Sequence, residues 1–305
     1  SRLRQRLGLN VSVKDIFNYK NIERLYDNVL NKASSNTKLS LRTEQGMLSG
    51  EVLLLPIQEW FFTNNFKKSN HWNQSFIIRT PELDIDKLRS SVSKLVEYHD
   101  AFRLKYKNNN KLSLTSKNDN YTQYYDKCDA VEELKILNAR TIESTEGSKE
   151  FEDRLQAILT QWQSKFDLEN GPLYSIAYIN GYADGSSRIW FALHHLIVDS
   201  VSWRILVKDL QDLYEGKALG PKGSSYRQWV NTVQEYANTH STEKNYWINV
   251  LSGYDKNTNN RLIKLDASNN PSYASLKLNP EKTTRLLRDS SRAYNTQVND
   301  ILLTA

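Results

Sequence analysis

Two stretches, Leu173–Ile179 (LYSIAYI) and Arg188–Leu193 (RIWFAL), are predicted strands that are apolar on both faces. A strand with one wet face alternates apolar and polar residues; one that reads as nearly continuous apolar sequence belongs in a sheet covered on both sides. The loop INGYADGSS joins the two. The second runs straight into HHLIVDS and then into an amphipathic helix. That helix has the stripe Trp203, Leu206, Val207, Leu210, Leu213 and Tyr214, and Gly216 stops it. The chain must therefore supply helices for both sides of a buried sheet.

The flanking sequence offers them. Pro56 opens a short helix through Trp60, Phe61 and Phe62, and Trp72–Arg79 is a strand candidate. Asp84 is placed to cap a helix whose face is Leu88, Val92, Leu95 and Val96. Phe102–Tyr106 reads as a strand, and 107–120 (KNNNKLSLTSKNDN) as a hairpin or exposed loops. Leu155, Ile158, Leu159 and Trp162 share one face of a helix over Phe151–Phe166. Further helices are predicted near 225–238, 241–251, 281–290 and 296–305, with a strand near 272–278. Strands and helices mix without regular βαβ alternation, so the class is α+β in layers. Eleven glycines and six prolines in 305 residues also argue against a turn-rich all-β protein.

The ends read differently. Residues 1–31 form a small helical unit: Leu3 and Leu7 share a face ended by Gly8, Val13, Ile16 and Phe17 form a turn, and Ile22, Leu25 and Val29 line a further helix. So short a piece cannot bury a core of its own. Residues 32–50 are polar and read as a linker. The chain begins without Met inside one helical pattern and stops at Ala305 inside another, which suggests an excerpt of a longer polypeptide.

Composition narrows the function classes. The net charge of +6 comes from interspersed charges with no basic block, so no nucleic-acid partner is expected. No apolar run approaches the roughly 20 residues of a membrane helix, and no signal peptide is visible. The lone Cys128 excludes an internal disulfide and fits a reducing compartment, so a cytoplasmic location is expected.

Chemistry concentrates in His194-His195-Leu196-Ile197-Val198-Asp199, between a buried strand and an amphipathic helix. Side chains leave the core at such places, and an imidazole trades protons near neutral pH. Three readings compete for this pattern. One histidine transfers protons; His195 and Asp199 share a metal; or both histidines are packed, hydrogen-bonded residues. The metal reading lacks a third ligand pattern among His71, His99 and His240, and the preceding strand makes helical spacing doubtful. For a bare HHxxxD the packed reading is favoured.

Context shifts that balance. RIWFALHHLIVDSVSWRIL resembles the core motif of the condensation/epimerization superfamily, which has a chloramphenicol-acetyltransferase-like fold, and its VSWRIL tail resembles the epimerization branch. Further resemblances follow in order. They are LLLPIQEWFF (Pro56, Ile57, Gln58, Trp60), HWNQSFII (Asn73, Gln74, Ser75), HDAFRLKY (His99, Asp100, Arg103) and AYNTQVNDILLTA (Asn295, Thr296, Gln297, Asn299, Asp300). The likeness covers about 50–305, implying a first subdomain and the start of a second, truncated at its C-terminus. Residues 1–31 resemble the last part of a peptidyl carrier domain.

The resemblance implies an epimerization domain of a nonribosomal peptide synthetase, with domains at 1–31 (carrier), 32–50 (linker) and 51–305. Its partners would be a peptidyl carrier domain with its tethered aminoacyl or peptidyl thioester, and neighbouring adenylation, condensation or thioesterase domains. Its cofactor would be 4′-phosphopantetheine on a carrier serine before residue 1, since no GGxS occurs here. Residue by residue, His195 matches the acid/base and His194 a supporting position. Asp199 and Arg103 match a structural ion pair, whose breakage would cost about 3–5 kcal/mol. Ser202 and Trp203 match pocket or packing positions. Ser200 stands where the family has Gly, a change expected to narrow the tunnel or alter placement of the arm, and the family's second base lies beyond Ala305. The alternatives are a condensation domain using the same histidine, or a degenerate docking domain.

Overall fold

A computed structural model of the chain describes residues 11, 15, 18–19, 21–30, 42–109, 121–127, 131–252, 275–290 and 296–304. They fall in two compact units, 1–241 and 242–305.

The first unit is built on two sheets. Strand β7 (Ser187–His194) lies between β2 (Asn73–Thr80) and β6 (Tyr174–Asn180), antiparallel to both, and β5 (Lys135–Asn138) adds parallel to β6. The smaller sheet is antiparallel, with β4 (Tyr121–Tyr125) between β1 (Gly50–Val52) and β3 (Leu104–Asn108). The first-unit helices are α1 (Ile22–Leu25), α2 (Pro56–Thr63), α3 (Ile85–Tyr98), α4 (Lys149–Gln163), α5 (Ser202–Tyr214) and α6 (Tyr226–Thr239).

The four-stranded sheet is covered on both faces, as its apolar strands require. Successive side chains of a strand point to opposite faces. Trp190 of β7 accordingly meets Trp162 of α4 at 6.0 Å between ring centroids, while Phe191 stacks on Phe76 of β2, which in turn packs on Trp203 of α5. Strands β6 and β7 are buried almost throughout. Helices α3 and α5 pack together, and tyrosines tie the start of α3 to the sheet and to α5. The Leu83 N–H donates to the Tyr178 hydroxyl (2.7 Å) and the Asp84 N–H to that of Tyr214 (2.9 Å). Asp84 caps α3 as predicted, accepting from the Lys87 N–H, and Ser148 caps α4 in the same way. Gly216, at φ +80°, ends α5 in a left-handed conformation that costs glycine little.

Several expectations are corrected. Residues 42–49, the end of the predicted linker, are bound to the unit. Arg227 of α6 donates to the Glu44 carboxylate (2.6 Å) and the Ser49 carbonyl, and Gln228 donates to the Arg42 carbonyl. Glu44 sits below the usual carboxylate range because Arg227 hydrogen-bonds it. The β4 and β5 strands were not foreseen: YTQYY offers polar and aromatic residues in place of an aliphatic run, and KILN is very short. Of the predicted strand near 272–278, residues 272–274 lie outside the described residues and 275–278 carry no strand pairing; Asn279 then caps α8 (Pro280–Arg288), which the proline opens. The second unit also contains α7 (Glu243–Ser252) and α9 (Val298–Thr304).

Arg103 makes a different pair from the expected one. Its guanidinium binds Asp100 in the same 3₁₀ turn and donates to the carbonyls of Val96 and Glu97 at 3.1 Å each, at the end of α3. Asp100 also accepts from Lys222 Nζ (2.8 Å) and the Leu48 N–H (3.1 Å). Asp199 takes no part. The local turn puts a carboxylate three residues from the arginine, so no distant partner is needed. The cluster ties α3, the 42–49 segment and the approach to α6 at one largely buried point. Arg103→Ala strands the Asp100 carboxylate there with one cation fewer. The expected loss of unfolding free energy is about 3–5 kcal/mol, read by urea denaturation.

Candidate functional site

The two histidines end β7, and their backbones are held from both sides. His194 N–H donates to the Leu173 carbonyl and His195 N–H to the Trp72 carbonyl, each at 2.8 Å. Alternation along the strand then sends the adjacent side chains apart.

His194 is fully buried against Phe61, at 5.7 Å and nearly perpendicular. Its Nε2 lies 2.8 Å from the Ser69 carbonyl, and its Nδ1 accepts from the Leu196 N–H at 3.2 Å. A carbonyl only accepts and an N–H only donates, so the ring is neutral with its proton on Nε2. Burial pushes its pKa down to about 4, with the Ser69 bond opposing and the neighbouring His195 adding to the depression. Both ring nitrogens serve the backbone. His194 locks the turn and has no free atom with which to exchange a proton with a substrate.

His195 is exposed, on the face shared by Leu193 and, across β2, by Gln74. Its Nε2 is 3.1 Å from the Gln74 side-chain amide.

The turn after the histidines is braced from below. The Tyr106 hydroxyl donates to the Leu196 carbonyl (3.2 Å), and Gln58 Nε2 contacts that hydroxyl (3.2 Å) and Gln123 Oε1 (2.7 Å). Gln58 Oε1 accepts from the Leu55 N–H (2.9 Å), and Gln123 donates to the Leu53 carbonyl (3.1 Å). All three side chains are buried, and burial raises the Tyr106 phenol well above its ordinary pKa. The only advance signal was Gln58, a polar residue inside an apolar helical motif. Tyr106 and Gln123 were not foreseen as supports.

Asp199 starts α5. Its Oδ1 accepts from the N–H of Val201 (3.1 Å), the N–H of Ser202 (2.8 Å) and the hydroxyl of Ser202 (2.6 Å). Ser202 Oγ in turn accepts from the Asp199 N–H at 3.4 Å. This reciprocal cap, with the Ser202 hydrogen bond foremost, holds the Asp199 carboxyl below its usual range. Asp199 is exposed, so in place of the expected buried pair with Arg103 it makes local hydrogen bonds that brace the turn before α5. Ser200 is exposed and has no positive φ, so its backbone does not demand glycine. Trp203 packs on Phe76 at 4.6 Å.

Of the other histidines, His99 pairs with Asp209 of α5 (2.9 Å), His71 lies near Asn73, and His240 stacks on Tyr236. Among the described residues no three acidic, histidine or cysteine side chains converge on a metal position. Cys128 and Asn295 lie outside the described residues, while Gln297 and Asp300 form the start of α9, the Gln297 N–H donating to Asp300 Oδ2 at 2.8 Å. Beneath the turn is a cleft of about 90 Å³ lined by His99, Phe102, Leu193, Val198, Ser202 and Leu206. A larger cavity of about 230 Å³ beside Lys105 and Asp126 contains neither motif histidine.

The condensation domain family matches residues 48–305, and the chain belongs to that family. Its fold is the chloramphenicol-acetyltransferase-like α+β arrangement, and solved structures agree. The epimerization domain from the third module of tyrocidine synthetase B superposes with a TM-score of 0.66 at 30% identity, covering 87% of this chain and 58% of that one. The condensation domain of the monacolin K polyketide synthase MokA shares the fold at 12% identity, with a TM-score of 0.59, over 84% of this chain and 57% of that one. The N-(5-amino-5-carboxypentanoyl)-L-cysteinyl-D-valine synthase of Penicillium rubens is 37% identical over 313 aligned residues, across 100% of this chain and 8% of its own length. The chain thus spans a small fraction of the curated relatives it matches. No helix among the described residues is long and apolar enough to cross a membrane.

His194 is buried neutral, so its folded pKa lies below the ordinary 6.5. Between about 6.5 and 4 the unfolded chain binds the extra proton, and stability falls as pH falls. Relative to His194→Gln, which does not titrate, the wild type is expected to lose roughly 3 kcal/mol between pH 7 and pH 4 in urea melts. A constant difference across that window would contradict the neutral, buried ring. Separately, Asp199→Ala is expected to cost about 1 kcal/mol at pH 7, with Asp199→Asn close to wild type because Asn also caps.

Proposed function

We propose that this domain inverts the α-carbon of a carrier-bound aminoacyl or peptidyl thioester within a nonribosomal peptide synthetase, with His195 as a proton-transfer group. The observation that carries this reading is the contrast between the two histidines: His194 is buried with both ring nitrogens engaged, and His195 is exposed at the strand end.

A thioester acidifies the adjacent C–H because the carbanion delocalises onto the thioester oxygen as an enolate. An imidazole near neutrality can take that proton, and reprotonation from the other face yields the epimer. The residual demand is stabilisation of the enolate oxygen by fixed donors or a positive charge, which an imidazolium at the same position helps to meet. The phosphopantetheine arm belongs to the carrier domain and would deliver the thioester as substrate. On this reading residues 1–31 are the end of that carrier domain and 32–50 the connection to the catalytic domain from residue 51.

Epimerization is favoured over peptide-bond formation by two likenesses. The chain is 30% identical to a solved epimerization domain but 12% identical to the MokA condensation domain. The tripeptide in the Penicillium rubens relative's name ends in D-valine, so a synthetase of that kind has use for an inversion step.

In the full-length synthetase, loaded with an L-aminoacyl arm in deuterated water, the released amino acid should be the D-enantiomer carrying α-deuterium. His195→Ala should reduce that exchange at least about 100-fold while arm loading is unchanged. Wild-type exchange in the variant would remove His195 from the reaction. An unexchanged L-residue transferred to an acceptor amine would make the domain a condensation catalyst.

A further inference from the structure

We propose that Tyr106 is the positioning residue of the histidine turn: its hydroxyl clamps the Leu196 carbonyl and so sets the place at which His195 meets substrate. The proposal rests on His195 as the proton-transfer group.

The turn is short and bonded at each step. The Ile197 N–H donates to the His194 carbonyl at 3.0 Å, so residues 194–197 close a β-turn with His195 and Leu196 at its two central positions. The Leu196 N–H goes to His194 Nδ1, and the His195 N–H to the carbonyl of Trp72, the residue before β2. The bond from Tyr106 to the Leu196 carbonyl (3.2 Å) is of another kind, because it comes from β3 in the smaller sheet. It ties a turn at the end of one sheet to the interior of the other.

The direction of that bond is fixed by what lies behind it. The Leu55 N–H can only donate, so the Gln58 atom it meets at 2.9 Å is the amide oxygen. The Gln58 amide nitrogen therefore faces Gln123 Oε1 (2.7 Å) and the Tyr106 hydroxyl oxygen (3.2 Å), and donates to both. Gln123 is oriented by the same rule, since its nitrogen must donate to the Leu53 carbonyl (3.1 Å). With its oxygen accepting from Gln58, Tyr106 has its single proton left for the Leu196 carbonyl. A chain of bonds that starts on an N–H and ends on carbonyls cannot reverse. The fold holds its members in place: Tyr106 and Gln123 are opposite each other in the β3–β4 register, and Gln58 lies in the first turn of α2.

Stability alone does not call for this arrangement. Tyr106 and Gln123 are fully buried and Gln58 nearly so, and apolar side chains of similar size would fill the space with no polar group to satisfy. What the three polar side chains add is a fixed donor at one backbone oxygen, one residue from His195. Placement matters there, because a reacting group displaced by about 1 Å can lose on the order of 100-fold in rate.

The test uses the full-length synthetase. Tyr106→Phe keeps the ring and its contact with Phe62 and removes the donor. Backbone amide hydrogen exchange over 195–198, read by mass spectrometry, should speed up about tenfold or more, with 189–193 of β7 unchanged. The same variant should lower kcat for α-proton exchange by about tenfold or more with KM unchanged. Gln58→Met, which leaves the tyrosine proton undirected, should give a smaller loss of the same kind. 4-Aminophenylalanine at position 106 returns an N–H donor and should restore most of the lost rate, which a defect of packing alone would not allow. Unchanged kcat in both substitutions, a fall confined to KM, or no rescue by the amine would each overturn the proposal. The amide signature is independent of the reaction. Normal α-proton exchange in His195→Ala would defeat the proton-transfer reading, and with it the catalytic use of the clamp, even if the amides of the turn were loosened in Tyr106→Phe. Loss of α-proton exchange in His195→Ala beside an unaltered kcat in Tyr106→Phe would overturn the role of Tyr106 and leave that of His195.

Discussion

Alternation along one strand decides the chemistry of this site. Strand β7 has neighbours on both edges and helices on both faces, so its register and the direction of every side chain are set by burial. Two identical side chains at its end then receive opposite environments. His194 points among aromatics and is kept neutral by desolvation; His195 emerges on the other face and is exposed. A one-residue slip would exchange them. The division of labour between the histidines therefore comes from the sheet, with no special property of either residue required.

A turn that leaves a buried strand must satisfy its backbone polar groups locally, and here side chains do most of that work. The Leu196 N–H is taken by the His194 ring and its carbonyl by the Tyr106 hydroxyl. The N–H groups of Val201 and Ser202, which would be orphans at the start of α5, are taken by Asp199. Behind Tyr106, Gln58 and Gln123 extend the bonding to the backbone at Leu53 and Leu55. The side chains of Gln58, Tyr106 and Gln123 are all hydrogen-bonded, so the network stiffens the turn. The PIQEWF motif thus contributes through Gln58, a support at one remove from the chemistry.

The covered sheet, its two long strands and the helices α3 to α5 were readable because their patterns depend only on local periodicity and caps: continuous apolar runs, the Asp84 cap, the stripe ending at Gly216. The histidine motif was readable because its neighbours in sequence are also its neighbours in space. What escaped depended on long-range pairing. The β4 strand is specified by its position between β1 and β3. The docking of 42–49 is specified by Arg227 and Gln228, some 180 residues away. Arg103 was assigned the right kind of partner, a carboxylate, but the turn provides Asp100 three residues before it, and proximity in the chain prevails.

Ser200 shows how a departure from a family motif can be weighed physically. Glycine at that position would be demanded by a positive φ or by a crowded Cβ. The first does not apply, since Ser200 has no positive φ and is exposed to solvent. The Asp199–Ser202 cap closes around it through the flanking residues, leaving the Ser200 side chain outside the hydrogen bonds that form the turn. Serine here also restricts the unfolded chain more than glycine would, which favours the folded turn by a few tenths of a kcal/mol to about 1 kcal/mol. The turn that presents His195 is therefore built without strain by this sequence. Ser200 thus leaves the placement of the histidine to β7 and to the backbone bonds at its end.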